Sequence, residues 1–509
     1  MRGLFTPITK IRRQVFTEVA RYTFERDLDQ SDFNYFYESS YRIIPGEVAT
    51  YRDSVFKERA IIRERIRLAL GLPIRPTGTH QPLTEGMAEC ATSGKKLELP
   101  LVNVIPFACE ACPTDRIQVS DNCRKCLAHP CTTVCPVNAV SIGKSAAIID
   151  QEKCIKCGRC VAACPYQAIL RFGRPCAQAC GADAIGSDEL NRAKIDQEKC
   201  VSCGLCIVSC PFAAIADKSE IFQLITAIRS GHTVFAAIAP SFVGQFGPLA
   251  TPGKIVSGIK ALGISRVIEV GWGADVGSLH EADEFLRDVP DTKPFLGTSC
   301  CPSWAMFARK TQPGLSHCIA QTHTPMVAAA RKIKEEHPSA KVVFIGPCVA
   351  KKLEALDDEV RPYVDYVITF EELMGLFSAR QIELSDLEET DLITQASHDG
   401  RNYAVAGGVA EAVINVIRAR DDTRQVPFLK ADSLADCRKM LAQAKAGKAN
   451  GHLLEGMACP GGCVGGPGTL SQIPRAARAV KAFAEASPYP TASDNTMEQL
   501  TPKILRPNP

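Results

Sequence analysis

The 509-residue sequence predicts an α/β protein in three parts: a helical N-terminal segment, a small cysteine-rich α+β domain and a large α/β domain. Near the N-terminus, apolar residues recur at three- and four-residue spacing, as amphipathic helices require. Of the 24 cysteines, 16 lie between Cys109 and Cys210, and this concentration indicates a separate metal-binding domain. From Ser219 onward short apolar strands alternate with helical segments, which predicts largely parallel sheets.

Changes in composition along the chain predict the domain boundaries. We expect a helical region with its linker at residues 1–95, the cysteine-rich domain at 96–217, the large α/β domain at 218–484 and a Pro- and Ser-rich surface tail at 485–509. Within the first region, the charged and apolar pattern of residues 56–65 predicts a solvated, ion-paired helix.

The composition argues against two classes of partner. A net charge of +3 is too small for a nucleic-acid-binding surface, and no block of Lys and Arg compensates for it. No stretch of about 18 consecutive apolar residues is present, so we expect no membrane span.

The N-terminus lacks the apolar core and cleavage site of a secretory signal, and we therefore expect a cytoplasmic protein. In that reducing compartment, dense cysteines indicate metal binding and not disulfides.

Two cysteine runs in the small domain have the spacing of bacterial ferredoxins, C-x2-C-x2-C-x3-C followed by proline. In such runs three thiolates hold one [4Fe–4S] cluster and the fourth reaches a neighbouring cluster. A third run is a variant with one wider gap, and all three continue with an alanine and a branched apolar residue, which indicates an internal repeat. The runs contain Cys123, Cys126, Cys131 and Cys135; Cys154, Cys157, Cys160 and Cys164; and Cys200, Cys203, Cys206 and Cys210.

A fourth, broken run supplies the remaining thiolates of this domain. Cys176 and Cys180 keep the end of a run but lack its leading pair, a place that Cys109 and Cys112 can fill. The 16 thiolates then make four accessory clusters, and the exchange between runs predicts their membership. The predicted groups are Cys123, Cys126, Cys131 and Cys164; Cys154, Cys157, Cys160 and Cys135; Cys200, Cys203, Cys206 and Cys180; and Cys109, Cys112, Cys176 and Cys210.

Structural zinc is the alternative for these cysteines, because paired C-x2-C motifs also bind zinc. Tight triplets followed by Cys-Pro fit a cluster better than a tetrahedral zinc ion. A single cluster can serve structure alone, whereas several clusters in one small domain predict an electron relay. Outside these groups, Cys90, Cys318 and Cys437 lack partners and are interpreted as buried small apolar residues.

Four more cysteines lie in three separated loops of the large α/β domain: Cys301, Cys348, Cys459 and Cys463. Ligands in such domains collect in loops at the carboxyl ends of strands. The loop of the last pair contains six glycines, which allow the backbone to approach a bulky ligand closely. Four thiolates again match one cluster. Cys300 precedes Cys301, and because successive side chains diverge, we expect Cys300 to point into a neighbouring pocket and to move protons there.

The loops resemble the three signatures of [FeFe]-hydrogenases. The matching stretches are TSCCP at 298–302, PCxxKKxE at 347–354 and ExMACxxGC at 455–463, and Ala239-Pro240-Ser241 is similar to a further loop of that family. The resemblance covers roughly residues 218–480. It implies a two-lobed α/β domain that holds an H-cluster, which is a [4Fe–4S] cluster joined through one cysteine to a two-iron site with CO, cyanide and dithiolate ligands.

The resemblance also implies how this chain would hold the H-cluster. Cys463 matches the cysteine that bridges the cluster to the two-iron site, and Lys351 matches the lysine that binds one cyanide. Ser241 and the backbone just before it match groups around the other cyanide. Met457 matches a residue that packs against the two-iron site.

A proton path is implied as well. Cys300 matches the thiol that exchanges protons at the two-iron site, and Glu281 and Glu284 match two carboxylates of the path, one helical turn apart. Ala320 stands where that path commonly has a serine, and Gly346 stands where the second signature commonly has methionine. These departures are similar to a less-studied branch of the family and leave the metal ligands intact.

The resemblance thus implies an enzyme that oxidises H2 or reduces protons reversibly, with electrons relayed through the accessory clusters to ferredoxin or a similar soluble carrier. Maturation proteins that install the two-iron site are further expected partners. The alternatives are an H2 or redox sensor and an iron–sulfur assembly factor on the same scaffold, although assembly relatives lose the cysteine and lysine equivalent to Cys300 and Lys351. An electron-transfer subunit explains residues 100–217 but not the second half of the chain.

Overall fold

The N-terminal region is helical, in agreement with the sequence pattern. The computed structural model describes residues 3–25, 34–113, 115–389, 396–421 and 423–495. Val19, Phe36 and Ile62 of this region share one buried core with strands of the large domain, so the region is packed onto that domain. Its helices are α1 (Pro7–Glu25), α2 (Asn34–Ile43), α3 (Val55–Ala69) and α4 (Met87–Cys90).

Helix α3 differs from the solvated helix expected at residues 56–65. Glu58 and Glu64 are 0% and 1% exposed. Each carboxylate has a compensating donor, because a buried charge without partners is costly. The backbone N of Thr50 donates to Glu58 Oε1 at 2.7 Å, and Arg75 Nε donates to Glu64 Oε1 at 2.6 Å. These donors lie outside the helix, so the residue pattern within the helix does not reveal them.

The cysteine-rich domain consists of two-stranded antiparallel sheets and short helices. In chain order its elements are β1 (Val102–Val104), β2 (Arg116–Val119), α5 (Pro130–Thr133), β3 (Val140–Ile142), β4 (Ala147–Ile149), α6 (Arg159–Ala163), β5 (Ile169–Phe172), α7 (Pro175–Gln178), β6 (Ile185–Ser187), β7 (Ala193–Ile195), α8 (Leu205–Ser209) and β8 (Ile215–Asp217). The sheets pair β2 with β5, β3 with β4, β6 with β7 and β1 with β8. The repeated cysteine motif therefore corresponds to a repeated unit of loop, short helix and strand.

The large domain has two lobes, each built on a parallel sheet. In chain order its elements are α9 (Ile221–Arg229), β9 (Val234–Ile238), α10 (Pro252–Ala261), β10 (Arg266–Glu269), α11 (Val270–Asp288), β11 (Leu296–Gly297), α12 (Pro302–Thr311), α13 (Pro325–Glu336), β12 (Lys341–Gly346), α14 (Ala350–Glu354), β13 (Tyr366–Thr369), α15 (Phe370–Ala379), α16 (His398–Asn402), α17 (Gly408–Arg420), β14 (Phe428–Ala431), α18 (Leu434–Lys445), β15 (Leu453–Gly456) and α19 (Ile473–Glu485). The strand order is β10-β9-β12-β13 in the first sheet and β11-β15-β14 in the second.

The four strands of the first sheet coincide with the apolar runs of the sequence. β9, β12 and β13 read as mainly apolar segments because such parallel sheets are covered on both faces, and β9 is buried at every position. The edge strand β10 has an apolar centre between an exposed arginine and a glutamate. The second sheet gives a weaker sequence signal. Its strands are only two to four residues long, and β14 is largely open to solvent.

Residues 485–495, which the sequence assigned to a surface tail, have several exposed side chains but also contact the large domain. Ala492 is 0% exposed. The backbone N of His398 donates to Tyr489 O at 2.7 Å, which ties this segment to the start of α16. In the same segment, Ser487 Oγ donates to Ala396 O at 2.7 Å. The rest of the expected tail, residues 496–509, lies outside the described residues.

The longest helices of the described residues are α1 and α11, with 19 residues each. Both carry charged side chains along their length. Within the part of the chain that the structure describes, no helix is long and apolar enough to cross a membrane.

Candidate active site

A cavity of about 80 Å³ lies where strands from both sheets end. Residues that follow β9, β11, β12 and β15 all reach its wall, since the carboxyl ends of parallel strands carry the loops that hold ligands. The cavity thus joins loops that are far apart in the sequence. Among the residues singled out above, the wall contains Ala239, Pro240, Ser241, Cys300, Cys301, Cys348, Lys351, Met457 and Cys463.

Three of the four expected cluster ligands lie together on this wall. Burial, followed by the charge of Cys301, raises the pKa of Cys348 to about 11. Burial, followed by the charge of Cys348, raises the pKa of Cys463 to about 12. The fourth, Cys459, lies in the same loop as Cys463. Thiols this buried stay protonated unless a metal replaces the proton, so the donor set fits a thiolate-bound iron cluster.

Two glycines explain how Cys463 comes beside Cys348. Gly462 has a φ of 89°, a left-handed conformation that favours glycine, and a Cβ there would lie 2.7 Å from the backbone of a neighbouring loop. A Cβ on Gly466 would lie 2.6 Å from Pro347 O. Glycine at these positions therefore allows the two cysteine loops to touch.

Two buried donors face the cavity. Ser241 is 0% exposed, and its Oγ has no hydrogen-bond partner among the described residues. The Lys351 ammonium pairs with Glu354 Oε2 at 2.8 Å and donates to Cys300 O at 3.5 Å. Because buried donors need acceptors, these two groups fit anionic ligands. Much of the remaining wall is apolar and includes the buried Met457.

Cys300 lies on the wall beside a buried carboxyl group. Burial, followed by the charge of Glu281, raises the pKa of Cys300 well above its ordinary value, so the thiol keeps its proton at neutral pH. Ser299 joins the two residues, because its backbone N and its Oγ donate to Glu281 Oε1 at 2.8 and 2.9 Å. Burial raises the pKa of Glu281 to about 7, so this carboxyl group can hold or release a proton near neutral pH.

Glu284 lies one helical turn beyond Glu281 but is not hydrogen-bonded to it. Lys293 Nζ pairs with Glu284 Oε1, and the backbone N of Gln321 donates to Oε2 at 3.4 Å. Glu281 Oε2 has no partner among the described residues. Ala320, next to Gln321 in the chain, has no hydroxyl to join them. The structure brings the two carboxyl groups near each other without a direct link.

Sequence reasoning missed three polar residues at this site. Tyr403 lines the cavity, and Ser278 Oγ donates to its Oη at 3.0 Å. Asp275 lies one turn before Ser278 and accepts from Ser397 N at 2.8 Å. A signal was present in the sequence, because Asp275, Ser278 and Glu281 recur every three residues along one helix.

The structure brings accessory cysteines together in exchanged groups. Burial raises the pKa of Cys160, and the charges of Cys154 and Cys135 add to the effect, so Cys135 lies with the run that follows it. Two small cavities gather the members of two further groups. One is lined by Cys123, Cys126, Cys131 and Cys164, and the other by Cys180, Cys200, Cys203 and Cys206.

The group completed by the upstream pair is also assembled. Burial raises the pKa of Cys176 to about 11, with Cys210 as the largest contribution from a neighbouring charge. Burial raises the pKa of Cys112 too, and the charges of Cys109 and Cys210 add to it. Cys109 and Cys112, the pair that the sequence assigned to this group, therefore lie near Cys176 of the broken run. The three cysteines without partners, Cys90, Cys318 and Cys437, are buried.

Within the described residues, no group of three or more His, Cys, Asp or Glu side chains is spaced to share a single metal ion. A zinc site would bring its thiolates to about 2.3 Å from one ion. The cysteines of a [4Fe–4S] cluster each bind a different iron and stand further apart.

One accessory group is in direct contact with the cavity loops. Cys203 packs in the same buried cluster as Cys301 and Trp304. Ser303 Oγ donates to Val201 O at 2.9 Å across the junction between the two domains. The accessory group that contains Cys203 thus packs directly against the loop of Cys301.

Family models match two parts of the chain. Residues 232–467 match the iron only hydrogenase large subunit, C-terminal domain. Residues 147–170 match a 4Fe-4S binding domain, and residues 171–221 match an LdpA Fe-S cluster-binding domain. The first match contains the cavity loops, and the other two lie within the region of the cysteine runs.

Individual relatives are distant. Iron hydrogenase 1 of Clostridium pasteurianum is 28% identical over 372 residues, which cover 63% of this chain and 64% of the relative. Cytosolic iron-sulfur assembly component 3 of Bos taurus is 26% identical over 293 residues, which cover 46% of this chain and 60% of the relative. The chain thus spans less than two thirds of either relative. A solved variant of [FeFe]-hydrogenase HydA1 from Chlamydomonas reinhardtii is 20% identical, with a TM-score of 0.44, and the likeness covers 54% of this chain and 91% of that chain.

Proposed function

Because the chain carries a domain of the iron only hydrogenase large-subunit family at residues 232–467, we propose that it is a hydrogenase that interconverts H2 with protons and electrons. The observation that carries this proposal is the cavity wall, on which Cys300, Lys351 and Ser241 lie beside three of the expected cluster cysteines. A scaffold that only holds clusters has no need of a protonated thiol and an ammonium at such a cavity. The combination supports chemistry that moves protons.

The residues present fit an H-cluster. Lys351 and the unpartnered Ser241 would bind its cyanide ligands, because both are buried donors on the wall. Met457 would pack against the two-iron site, and Cys463 would hold that site beside the cluster. When bound, the H-cluster supplies the metal centre at which H2 is split or formed. Its [4Fe–4S] part would be held by Cys301, Cys348, Cys459 and Cys463.

Proton exchange with the cavity is the role of Cys300. Its Sγ keeps a proton at neutral pH because burial disfavours the thiolate. Glu281, held by Ser299, has a pKa of about 7 and can return or accept that proton. The second oxygen of Glu281 has no partner among the described residues, so a buried water is the partner that its chemistry requires.

The outer part of the proton route passes through Glu284. Glu284 pairs with Lys293, and Lys293 also pairs with Asp288 at 3.4 Å. The side chains of Lys293 and Asp288 are partly open to solvent. Since Ala320 carries no hydroxyl, water takes the place of a side chain between Glu281 and Glu284. This route differs from the one that the family resemblance implies only in that step.

The accessory clusters would relay electrons between the cavity and a soluble carrier. Cys157 is exposed, and Lys156 and Arg159 beside it are exposed as well. Nearby in the chain, Ile155 is 60% exposed. Basic residues around an apolar centre favour an acidic partner, and we propose ferredoxin or a similar carrier. Maturation proteins that install the two-iron site would be transient partners.

Hydrogen evolution by the matured protein tests the proposal. Protein coexpressed with maturation proteins, purified without oxygen and supplied with reduced ferredoxin, should evolve H2. The same chain with its [4Fe–4S] clusters reconstituted but without maturation should not. Equal activity in both samples, or none in either, would contradict the proposed function.

A scaffold function is the second candidate, and the similarity to cytosolic iron-sulfur assembly component 3 favours it. An assembly factor would pass a [4Fe–4S] cluster to an acceptor protein without evolving H2. Its transfer rate would be the same in Cys300→Ala, because Cys300 is not among the proposed cluster ligands. An H2 or redox sensor would keep the two-iron site but turn over slowly.

A further inference from the structure

Helix α11 carries a line of buried polar residues. Asp275, Ser278, Glu281 and Glu284 recur every three residues and are 2%, 0%, 2% and 7% exposed. Polar groups are buried at a cost in free energy unless they have partners. The proposed proton route uses only the last two. The first two contact a different segment, residues 397–403.

Ser278 and Tyr403 form a pair of hydroxyl groups at the cavity wall. Ser278 Oγ lies 3.0 Å from Tyr403 Oη and 3.0 Å from Ala274 O. A serine hydroxyl has one proton to donate, so it turns between these two acceptors. When it donates to Tyr403, the phenolic proton points away from Ser278. Tyr403 is 6% exposed and lines the cavity, so the cavity is where a further acceptor can stand.

Packing alone does not account for this phenol. Tyr403 lies in a cluster with the apolar residues Ala274, Val409, Ala412 and Met457. A phenylalanine ring would fill the same space without the cost of burying an O–H group. The hydroxyl accepts from Ser278, and its own proton is left for a partner in the cavity that Tyr403 lines.

The segment that carries Tyr403 is fixed by Asp275. Ser397 caps α16 by accepting from Gly400 N at 3.0 Å, and Asp275 Oδ2 accepts from Ser397 N at 2.8 Å. Gly400 packs so closely that a Cβ there would lie 2.4 Å from Asp275 Oδ1. Because Tyr403 directly follows this helix, a carboxyl group at one end sets the position of the ring at the other.

We propose that Tyr403 is a second protic group of the cavity, whose Oη donates a hydrogen bond to the ligand set of the two-iron site. Ser278 is a positioning residue that sets the direction of the phenolic O–H. The inference rests on the proposed hydrogenase function, since it needs a ligand with lone pairs in the cavity. It gives the ligand set a donor on the α11 side, separate from Lys351 and Ser241.

Infrared spectroscopy of Tyr403→Phe tests this proposal on matured protein. Loss of one hydrogen bond to the ligands should shift the bands of metal-bound CO and cyanide from their wild-type positions. Turnover should fall about two- to tenfold, the range expected for one hydrogen bond. Ser278→Ala keeps the ring and should shift the same bands in the same direction by a smaller amount.

Tyr366→Phe is the matched control. It removes another buried phenol, which is hydrogen-bonded to Ser93 O and does not line the cavity, so its bands should coincide with those of the wild type. Wild-type band positions in Tyr403→Phe overturn the inference and leave the hydrogenase proposal intact. Absence of CO and cyanide bands from the matured wild type contradicts both the Tyr403 inference and the hydrogenase proposal. If Tyr403→Phe does not bind the ligand set, the Ser278→Ala variant provides the test. Shifted CO and cyanide bands in Ser278→Ala support the inference, and wild-type band positions overturn it.

Discussion

At the scale of single residues, the adjacent Cys300 and Cys301 differ in their surroundings. Cys301 stands at the N-cap of α12, where its carbonyl accepts from Ala305 N at 3.0 Å, and it lies near the thiols of Cys348 and Cys463. Cys300 lies near Glu281 instead. Both residues line the same cavity, and we propose that Cys301 binds metal while Cys300 carries a proton.

Replacement of Cys300 by alanine should separate proton delivery from cluster binding. We expect Cys300→Ala to keep its full iron content and to lose turnover at least about 100-fold, the usual contribution of a positioned acid or base. Cys90→Ala is the control, because Cys90 is a buried cysteine of the N-terminal region that does not line the cavity. This variant should have unchanged turnover. Wild-type turnover in Cys300→Ala with an intact cluster would exclude Cys300 as the proton donor.

Asp275 predicts a pH dependence of stability. Burial raises its pKa from 3.8 to about 7. Between these values the folded protein binds more protons than the unfolded chain, so this group's contribution to stability falls as pH rises. Asp275→Asn removes the titration. The unfolding free energy of the wild type minus that of the variant, measured in urea, should fall from about pH 4 to about pH 7 and then stay constant. Parallel curves for the two proteins would contradict this assignment.

At the scale of elements, the site is built from loops that only the fold brings together. The sequence predicts the first sheet because its strands are short runs of mainly apolar residues, and it predicts the cysteine loops because their spacing is distinctive. It does not predict β11, β14 and β15, since strands of two to four residues carry too little periodicity. Tyr403 was missed because its role depends on a contact with Ser278, which is distant in the chain.

The glycine-rich loop is the element whose packing is most open to test. In Gly466→Ala the new Cβ would meet Pro347 O at 2.6 Å, and because that atom is backbone, the two cysteine loops have to separate. We expect the variant to lose the active-site cluster, about 6 Fe per chain, and to keep the accessory clusters. Gly314→Ala is the control, because nothing lies within 4 Å of a Cβ there. Full iron content in Gly466→Ala would show that the close approach is not required.

At the scale of the whole molecule, cysteine groups lie both at the surface and against the cavity loops. The exposed Cys157 lies in one accessory group, and Cys203 lies in another that packs against the loop of Cys301. The N-terminal helices cover the large domain and share its core, so the chain is not a string of independent modules. This arrangement suits a relay that takes electrons from a carrier and protects the metal site from solvent.

Iron analysis tests how many groups are filled. Five [4Fe–4S] clusters and one two-iron site require about 22 Fe per chain in matured protein. A value near 14 would mean that two accessory clusters are absent. Cys176→Ala should lower the content by about 4 Fe, since it removes one ligand of the group completed by the upstream pair. An unchanged content in that variant would contradict the assignment of Cys176.

Infrared spectroscopy of the matured wild-type protein is the most direct test of the central claim, that the cavity binds a two-iron site. We expect bands of metal-bound CO and cyanide, which protein reconstituted with iron and sulfide alone should lack. Absence of these bands from protein that carries its full set of [4Fe–4S] clusters after maturation would contradict the claim, and would favour a scaffold that holds clusters without hydrogen chemistry.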